Sequence, residues 1–162
     1  MNTRLLFLAT IAVAACGGSA PPAEAPTSET AAPSSEAAAA GAAPATFAEQ
    51  VTLGQSLYGT NCAKCHGGSG EGTADAPAVV GLDKGALPLD PPPTAKYRKS
   101  QFKTVADIAD FVVKNMPPNK GGSLSTEEYL AILAFDLKAN GIDLGDKKLD
   151  LPLAATLTVP RK

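Results

Sequence analysis

Residues 59–70 read GTNCAKCHGGSG and contain the only histidine of the chain together with two of its three cysteines. Cys62, Cys65 and His66 therefore lie within five consecutive residues. Thiol and imidazole groups are reactive side chains that also bind metals. Their concentration in one pentapeptide indicates a functional site, and the spacing C-x-x-C-H restricts the chemistry of that site.

Three kinds of chemistry fit this pattern. A zinc site needs three or four protein ligands, and beyond the pentapeptide the chain offers only Cys16 and no second histidine. A redox dithiol normally lies near a βαβ pattern, whereas this sequence shows helical patterns without convincing strands. Attachment of a c-type haem accounts for all three residues, because the two thiols add to the haem vinyl groups and the adjacent imidazole can bind the iron.

The N-terminus has the layout of a secretory signal. Arg4 precedes an apolar run over residues 5–15 that is too short to span a bilayer. The run ends in VAAC, which resembles the lipobox of bacterial lipoproteins, where cleavage occurs before the cysteine and its sulfur carries a diacylglyceryl group. This resemblance implies that residues 1–15 are removed and that Cys16 becomes a lipidated N-terminus. An ordinary secretory signal with an incidental cysteine is the alternative.

Residues 16–46 are rich in Ala, Pro, Ser, Thr and Glu and hold almost no large apolar side chain. Such a segment cannot bury enough surface to offset the entropy of ordering it, so we expect a disordered tether. The tether carries acidic but no basic residues, which leaves residues 47–162 formally neutral although the chain has a net charge of −2. A near-neutral charge without a long basic run argues against nucleic acid as the main partner.

Helical periodicity appears three times after the tether. The three segments are residues 47–67, with the stripe Phe47, Val51, Gly54, Leu57, Tyr58 and Cys62; residues 104–118, with Val105, Ile108, Ala109, Val112 and Met116; and residues 125–141, with Tyr129, Ile132, Leu133 and Leu137. Capping boxes are indicated at Thr104 with Asp107 and at Ser125 with Glu128, and helix stops at Pro117-Pro118 and at Asn140-Gly141. A long Gly- and Pro-rich stretch between the first two helices would be unusual unless it packs on a large apolar group such as a haem.

Together these stretches resemble the class I c-type cytochromes. GQSLYGTNCAKCHG and LAILAFDL resemble the first and last helices of that family, with Gly54, Tyr58 and Phe135 where the two helices cross. DAPAVVGL resembles the segment whose proline, here Pro77, offers its carbonyl to the ligating imidazole, and NMPP resembles the segment with the distal ligand, here Met116. The resemblance implies an all-α cytochrome c fold of three to five short helices and long loops wrapped around one covalently attached haem. Residues 143–162 form a C-terminal extension outside the family pattern.

Composition tests the distal ligand independently of the resemblance. Met116 is the only methionine left once the signal is removed, and the absence of a second histidine excludes bis-histidine ligation within one chain. A methionine at the end of an apolar stripe can also be a core residue. The two prolines after Met116, together with the position that the family resemblance gives this residue, favour ligation, and a His66/Met116 pair is typical of electron-transfer haem.

We therefore expect a monomeric electron carrier, not an enzyme, held by Cys16 on the periplasmic side of a bacterial membrane. The expected donor is a dehydrogenase or cytochrome complex and the expected acceptor a terminal oxidase or reductase. Gly17 in place of an acidic residue after Cys16 favours the outer membrane. Two alternatives remain: a haem sensor or peroxidase-like enzyme with an open distal site, and a haem-free thiol-disulfide oxidoreductase.

A basic cluster lies in the stretch between the first two helices and consists of Lys96, Arg98, Lys99 and Lys103. Runs of charge usually form a solvated face, and we favour that interpretation here. The alternative is that one or two of these side chains bind a haem propionate while the others steer a partner.

Overall fold

The computed structural model describes residues 43–86, 89–91, 93, 95 and 98–160, and its regular structure is helical. The elements in chain order are α1 (Phe47–Asn61), α2 (Ala63–His66), a 3-10 turn (Leu82–Lys84), α3 (Val105–Asn115), α4 (Thr126–Ala139) and α5 (Leu151–Thr156). Within the described ranges, the β pairing consists of one isolated antiparallel bridge between Thr104 and Thr158. The all-α prediction is confirmed. Cys16, the signal and nearly all of the tether lie outside the described residues.

Both predicted capping boxes are present. At the start of α3, Thr104 Oγ1 accepts a hydrogen bond from Asp107 N at 3.3 Å, and Asp107 Oδ2 accepts one from Thr104 N at 2.8 Å. Ser125 and Glu128 make the same reciprocal pair at the start of α4. Each box satisfies backbone donors that a helix N-terminus leaves unpaired, which explains why these helices begin where they do.

The crossing of α1 and α4 forms the centre of the domain. A Cβ at Gly54 would lie 1.9 Å from the carbonyl oxygen of Ala131, so the two helix backbones are in contact at this point. One turn later, the Tyr58 ring packs on Phe135 with 5.1 Å between ring centroids. The predicted crossing at Gly54, Tyr58 and Phe135 is confirmed, and the absence of a side chain at Gly54 is what permits it.

The C-terminal extension is part of the core, which the sequence pattern did not predict. Leu149 is completely buried, and its backbone exchanges two hydrogen bonds with the buried Gln50 side chain of α1, at 2.8 and 2.7 Å. Further along, Val159 N donates to Lys103 O at 3.0 Å and Val105 N donates to Leu157 O at 2.9 Å. The extension therefore fastens the N-terminal ends of α1 and α3 to one another.

None of the helices in the described ranges combines the length and the apolar character that crossing a bilayer requires.

Candidate functional site

The pentapeptide lies at the junction of α1 and α2. Cys62 ends α1 with φ −122° and ψ −38°, and the chain turns at once into α2, held by hydrogen bonds from Cys65 N and His66 N to Cys62 O at 3.1 and 2.9 Å. Cys62 and Cys65 are both free thiols and half-buried. The turn thus presents two unlinked thiols and one imidazole within five consecutive residues at the junction of two helices.

The His66 imidazole is oriented by the loop that follows it. Its Nδ1 lies 2.8 Å from the carbonyl oxygen of Pro77. A carbonyl oxygen only accepts hydrogen bonds, so Nδ1 carries the hydrogen, and in the neutral imidazole the lone pair then lies on Nε2. This is the arrangement by which proteins fix the ring of a metal-binding histidine. The contact expected between His66 and Pro77 is present.

Hydrogen bonds within the Pro77 loop, the segment of residues 67–81 that follows α2, hold Pro77 in place. Gly72 N donates to His66 O at 2.7 Å, and Val79 N and Val80 N both donate to Gly70 O, at 2.8 and 2.9 Å. The loop thus folds back on the end of α2, which brings Pro77, eleven residues away in the chain, to the imidazole.

Asn140 at the end of α4 fastens the same loop to the helical core. Its Oδ1 accepts from Gly81 N at 2.8 Å and from Leu82 N at 3.1 Å, while its Nδ2 donates to Val79 O at 2.9 Å. The sequence suggested only a helix stop at Asn140-Gly141, and that stop is present. The bonds to the loop are a further role that an Asn-Gly pair alone does not indicate.

Met116 is the residue at which α3 ends. Its N donates to Val112 O at 2.8 Å, and its carbonyl accepts from the Tyr129 hydroxyl of α4 at 2.7 Å. The same hydroxyl accepts from Gly122 N at 3.1 Å, so it fixes both sides of the turn after Met116. The side chain of Met116 is half-buried. Among the described residues no hydrogen bond joins Met116 to the pentapeptide, and its predicted role stays a prediction.

The electrostatics around Cys62 are unfavourable for a thiolate. Burial raises the pKa of the Cys62 thiol to about 12, and nearby Asp136 and Cys65 add to the shift. Reactive dithiols work through a cysteine whose pKa is lowered by positive surroundings. This thiol is therefore poorly suited to disulfide exchange, which disfavours the oxidoreductase alternative.

The donor chemistry of the site fits a haem. In the part of the chain that the structure describes, no group of three or more Cys, His, Asp or Glu side chains could hold a metal ion. A porphyrin brings four nitrogen ligands of its own and needs few from the chain. The chain supplies what such a group requires, which is two free thiols for covalent links and an oriented imidazole with an available Nε2.

One member of the predicted basic cluster is buried. Lys96 lies outside the described residues, and Lys99 and Lys103 are exposed. Arg98 is only 7% exposed, and its guanidinium lies 3.9 Å from the ring centroid of Phe102. Burial lowers the pKa of Arg98 from its usual value. The interpretation of the cluster as a solvated face is wrong for Arg98, since its planar guanidinium packs on an aromatic ring.

Asp136 is an ionisable residue that the sequence reading missed. Its Oδ1 is inaccessible to solvent and has no hydrogen-bond partner among the described residues, although the residue as a whole is half-buried. Burial raises the pKa of this carboxyl to about 8. The signal in the sequence was an acidic residue inside the apolar stretch LAILAFDL, three positions after Leu133.

Comparison with known proteins supports the haem chemistry. The family described as cytochrome c oxidase, cbb3-type, subunit III matches residues 49–135, more than half of the 162 residues. A search of the curated proteins found no match. Among solved structures, a chain of the sulfane dehydrogenase SoxCD from Paracoccus pantotrophus is similar, with a TM-score of 0.50 and 25% sequence identity over 80% of this chain. The match spans 66% of the SoxCD chain.

The matched region contains the pentapeptide, the Pro77 loop, Met116 and most of α4, whereas Cys16 and α5 lie outside it. The helical fold, the pattern of thiols and imidazole, and the family match agree on one cofactor. This protein therefore belongs to the family of subunit III of the cbb3-type cytochrome c oxidases, and it is a monohaem c-type cytochrome that transfers electrons through one covalently bound haem c.

Proposed function

We propose that this protein is a membrane-anchored single-electron carrier on a lipid tether, with its haem attached to Cys62 and Cys65 and its iron held between His66 and Met116. The observation that carries the proposal is the 2.8 Å contact between His66 Nδ1 and Pro77 O beside two free thiols. Bound haem supplies a one-electron couple at its iron. The residues of the chain determine how that couple is held and how closely solvent approaches it.

His66 would hold the iron through Nε2. Because its Nδ1 hydrogen is donated to Pro77 O, the ring cannot rotate without losing that bond, and the donation makes Nε2 a stronger ligand. The Pro77 loop is itself fastened to α4 through Asn140. The histidine ligand is thereby coupled to the most buried helix of the domain.

Met116 would hold the iron through its thioether sulfur. Its backbone is fixed by the Tyr129 hydroxyl, so the thioether projects from a defined point at the end of α3. If His66 and Met116 both bind the iron, no coordination position would be left for a substrate, and the domain would carry electrons without transforming a molecule. A thioether ligand also raises the reduction potential, which suits transfer toward an oxidising acceptor.

Replacing Met116 tests this assignment. Met116→Leu keeps the volume of the side chain but removes the sulfur, so the reduction potential should fall while the folding midpoint changes little. Met116→Ala should lower both, with a loss of about 2–5 kcal/mol in the free energy of unfolding if the site packs like a core. Direct potentiometric titration of the haem and denaturant titration measure the two effects.

The control for this experiment is Val112→Ala, one turn earlier on α3 and also half-buried. It should reduce stability and leave the potential close to that of the wild type. An unchanged potential and visible spectrum in Met116→Leu would remove Met116 from the ligand set and favour an open-site haem protein.

Cys16 places the carrier on the periplasmic side of a membrane, with the outer membrane favoured. The support is the VAAC sequence after an apolar signal and the long Ala/Pro/Ser/Glu tether that follows. A tether of 30 residues has an r.m.s. reach on the order of 30 Å as a flexible coil, enough for the domain to move between partners.

A Cys16→Ser variant tests the anchor. The native protein should sediment with membranes, because two or more acyl chains hold stably where one holds only marginally, and the variant should remain in the soluble fraction. Both proteins should contain haem. Equal solubility of the two forms would show that the N-terminus is an ordinary secretory signal.

The partners are proposed from the two similar groups of proteins. One is described as a subunit of a cytochrome c oxidase and the other as a sulfane dehydrogenase. We infer a dehydrogenase or cytochrome complex as donor and a terminal oxidase or reductase as acceptor, with this chain as a monomeric intermediary.

A further inference from the structure

We propose that Asp136 is a redox-linked proton site, which takes up a proton when the haem is reduced and releases it when the haem is oxidised. This inference rests on the proposed electron-carrier function. It assigns a role to a buried carboxyl group that neither binds the iron nor forms a covalent link to the haem.

Asp136 lies close to the proposed site of haem attachment. It follows Phe135, whose ring packs on Tyr58 at the crossing of α1 and α4. Its carboxylate is close enough to Cys62 to raise the pKa of that thiol. A charge on Asp136 therefore acts directly on the residue proposed to bind the haem covalently.

The surroundings of the Asp136 carboxyl group are mostly apolar. Asp136 borders a small cavity whose lining from other elements is apolar, namely Leu82, Val105, Ile108, Ile142 and Val159. The cavity volume is about 10 Å³, at the lower limit for one water molecule, and a buried water needs at least two polar partners. The side-chain amide of Asn140 also borders the cavity. Its oxygen and nitrogen already form hydrogen bonds with the backbone of Val79, Gly81, Leu82 and Asp136.

A carboxyl group in such a place is most stable when it is neutral. An ionised oxygen without a hydrogen bond in an apolar setting is costly, and a proton removes that cost. This agrees with the pKa of about 8 that burial gives the group. Asp136 can therefore exchange a proton near neutral pH, where an exposed aspartate stays ionised.

The other ionisable groups facing Asp136 do not compete for this proton. From α1 they are Tyr58 and Cys62, both of which interact with the carboxylate. Burial raises the pKa of Tyr58 further above its usual value, so it stays neutral, and Cys62 no longer titrates once it is a thioether. The cavity lining contributed by the 3-10 turn, α3 and the C-terminal extension has no ionisable side chain.

The step conserves charge and mass. The reduced protein with a protonated Asp136 gives one electron to its acceptor and one proton to solvent, and becomes the oxidised protein with an ionised Asp136. Oxidation adds one positive charge at the iron, which favours the carboxylate, so the oxidised protein binds this proton more weakly than the reduced protein does. Reduction of the haem therefore strengthens proton binding at Asp136, and protonation of Asp136 strengthens the affinity of the haem for an electron to the same extent.

The experiment is a titration of the haem reduction potential of the full-length protein against pH, for the wild type and for Asp136→Asn. The wild-type potential should fall as pH rises between the two pKa values of Asp136, by up to about 59 mV per tenfold fall in proton concentration, the value for a one-electron couple. Asp136→Asn should lose this slope. Its potential should match the wild type at low pH and exceed it at high pH, because the negative charge is missing.

The matched control is Asp110→Asn, which removes an exposed carboxylate of α3 and should keep the wild-type slope. A second readout is the infrared difference spectrum between the reduced and oxidised states, in which the wild type but not Asp136→Asn should show the signal of a protonated carboxyl group. A slope that persists in Asp136→Asn would assign the proton to another group, such as a haem propionate, and overturn the proposal. A potential of the wild type that is independent of pH would do the same.

These outcomes are separate from the failure of the proposed function. If the reduced wild-type protein does not bind carbon monoxide and its potential is independent of pH, the electron carrier stands and the role of Asp136 fails. If it binds carbon monoxide readily, the closed ligand set fails whatever the pH dependence.

Discussion

A Cys62→Ala/Cys65→Ala double variant is expected to contain no covalently bound haem. The two thiols are the described cysteines, both are free, and both lie at the end of the helix that also presents His66. Without them no thioether can form, and the imidazole alone holds a haem only reversibly. In acidified organic solvent the haem should stay with the wild-type polypeptide, whereas any haem in the double variant should be extracted.

Cys16→Ser is the cysteine control for this experiment, because it removes the third cysteine and should leave the haem attached. Each single variant should retain haem through one remaining thioether. Complete extraction of haem from the wild-type protein would contradict the attachment to Cys62 and Cys65, and so would covalent retention in the double variant.

A Gly54→Ala variant is expected to lose much of its stability. The new Cβ would lie 1.9 Å from the Ala131 carbonyl oxygen, which belongs to a helix backbone and cannot rotate away. Relief requires α1 and α4 to move apart, which would also separate Tyr58 from Phe135. Overpacked cores typically lose 1–3 kcal/mol and occasionally more, and a clash with backbone places this variant at about 3 kcal/mol or above.

Gly59→Ala provides the matched control on the same helix. No atom lies within 4 Å of a Cβ at Gly59, so the substitution meets no obstacle. It should stabilise the protein by up to about 1 kcal/mol, because alanine is the better helix former. Denaturant midpoints of the two variants then move in opposite directions. If Gly54→Ala proved as stable as Gly59→Ala, the close crossing of α1 and α4 would be wrong.

The helices and the haem motif could be predicted because their signals are local. A capping box needs two residues three positions apart, as in Thr104 and Asp107, and an apolar stripe needs only the period of the helix. The C-x-x-C-H spacing is equally local. A glycine inside a helix costs stability, which indicated a packing reason at Gly54. The resemblance to the class I c-type cytochromes implied that this reason is a crossing with the last helix.

The contacts that the sequence did not indicate join residues far apart in the chain. Gln50 pairs with Leu149 across 99 positions, and Asn140 binds a loop about 60 positions earlier. Neither the helical periodicity of apolar residues nor the spacing of a short motif indicates partners so far apart in the chain. Arg98 was misread for a related reason, because a basic residue among lysines suggests solvent until the Phe102 ring beneath it is known.

Asp136 illustrates the same limit at the functional site. Its place in the sequence shows an acidic residue within an apolar segment, but it does not show whether the folded protein supplies a hydrogen-bond partner for the carboxyl group. Only the fold shows that its Oδ1 meets none among the described residues.

The central claim is that His66 and Met116 together close the haem iron to outside ligands, which makes this protein a carrier of electrons. The most direct test is the visible spectrum of the reduced wild-type protein before and after exposure to carbon monoxide at neutral pH, with Met116→Ala as the reference for an open site. The account predicts that carbon monoxide leaves the wild-type spectrum unchanged and shifts that of Met116→Ala. A rapid shift in the wild-type protein would contradict it and identify an open-site haem protein.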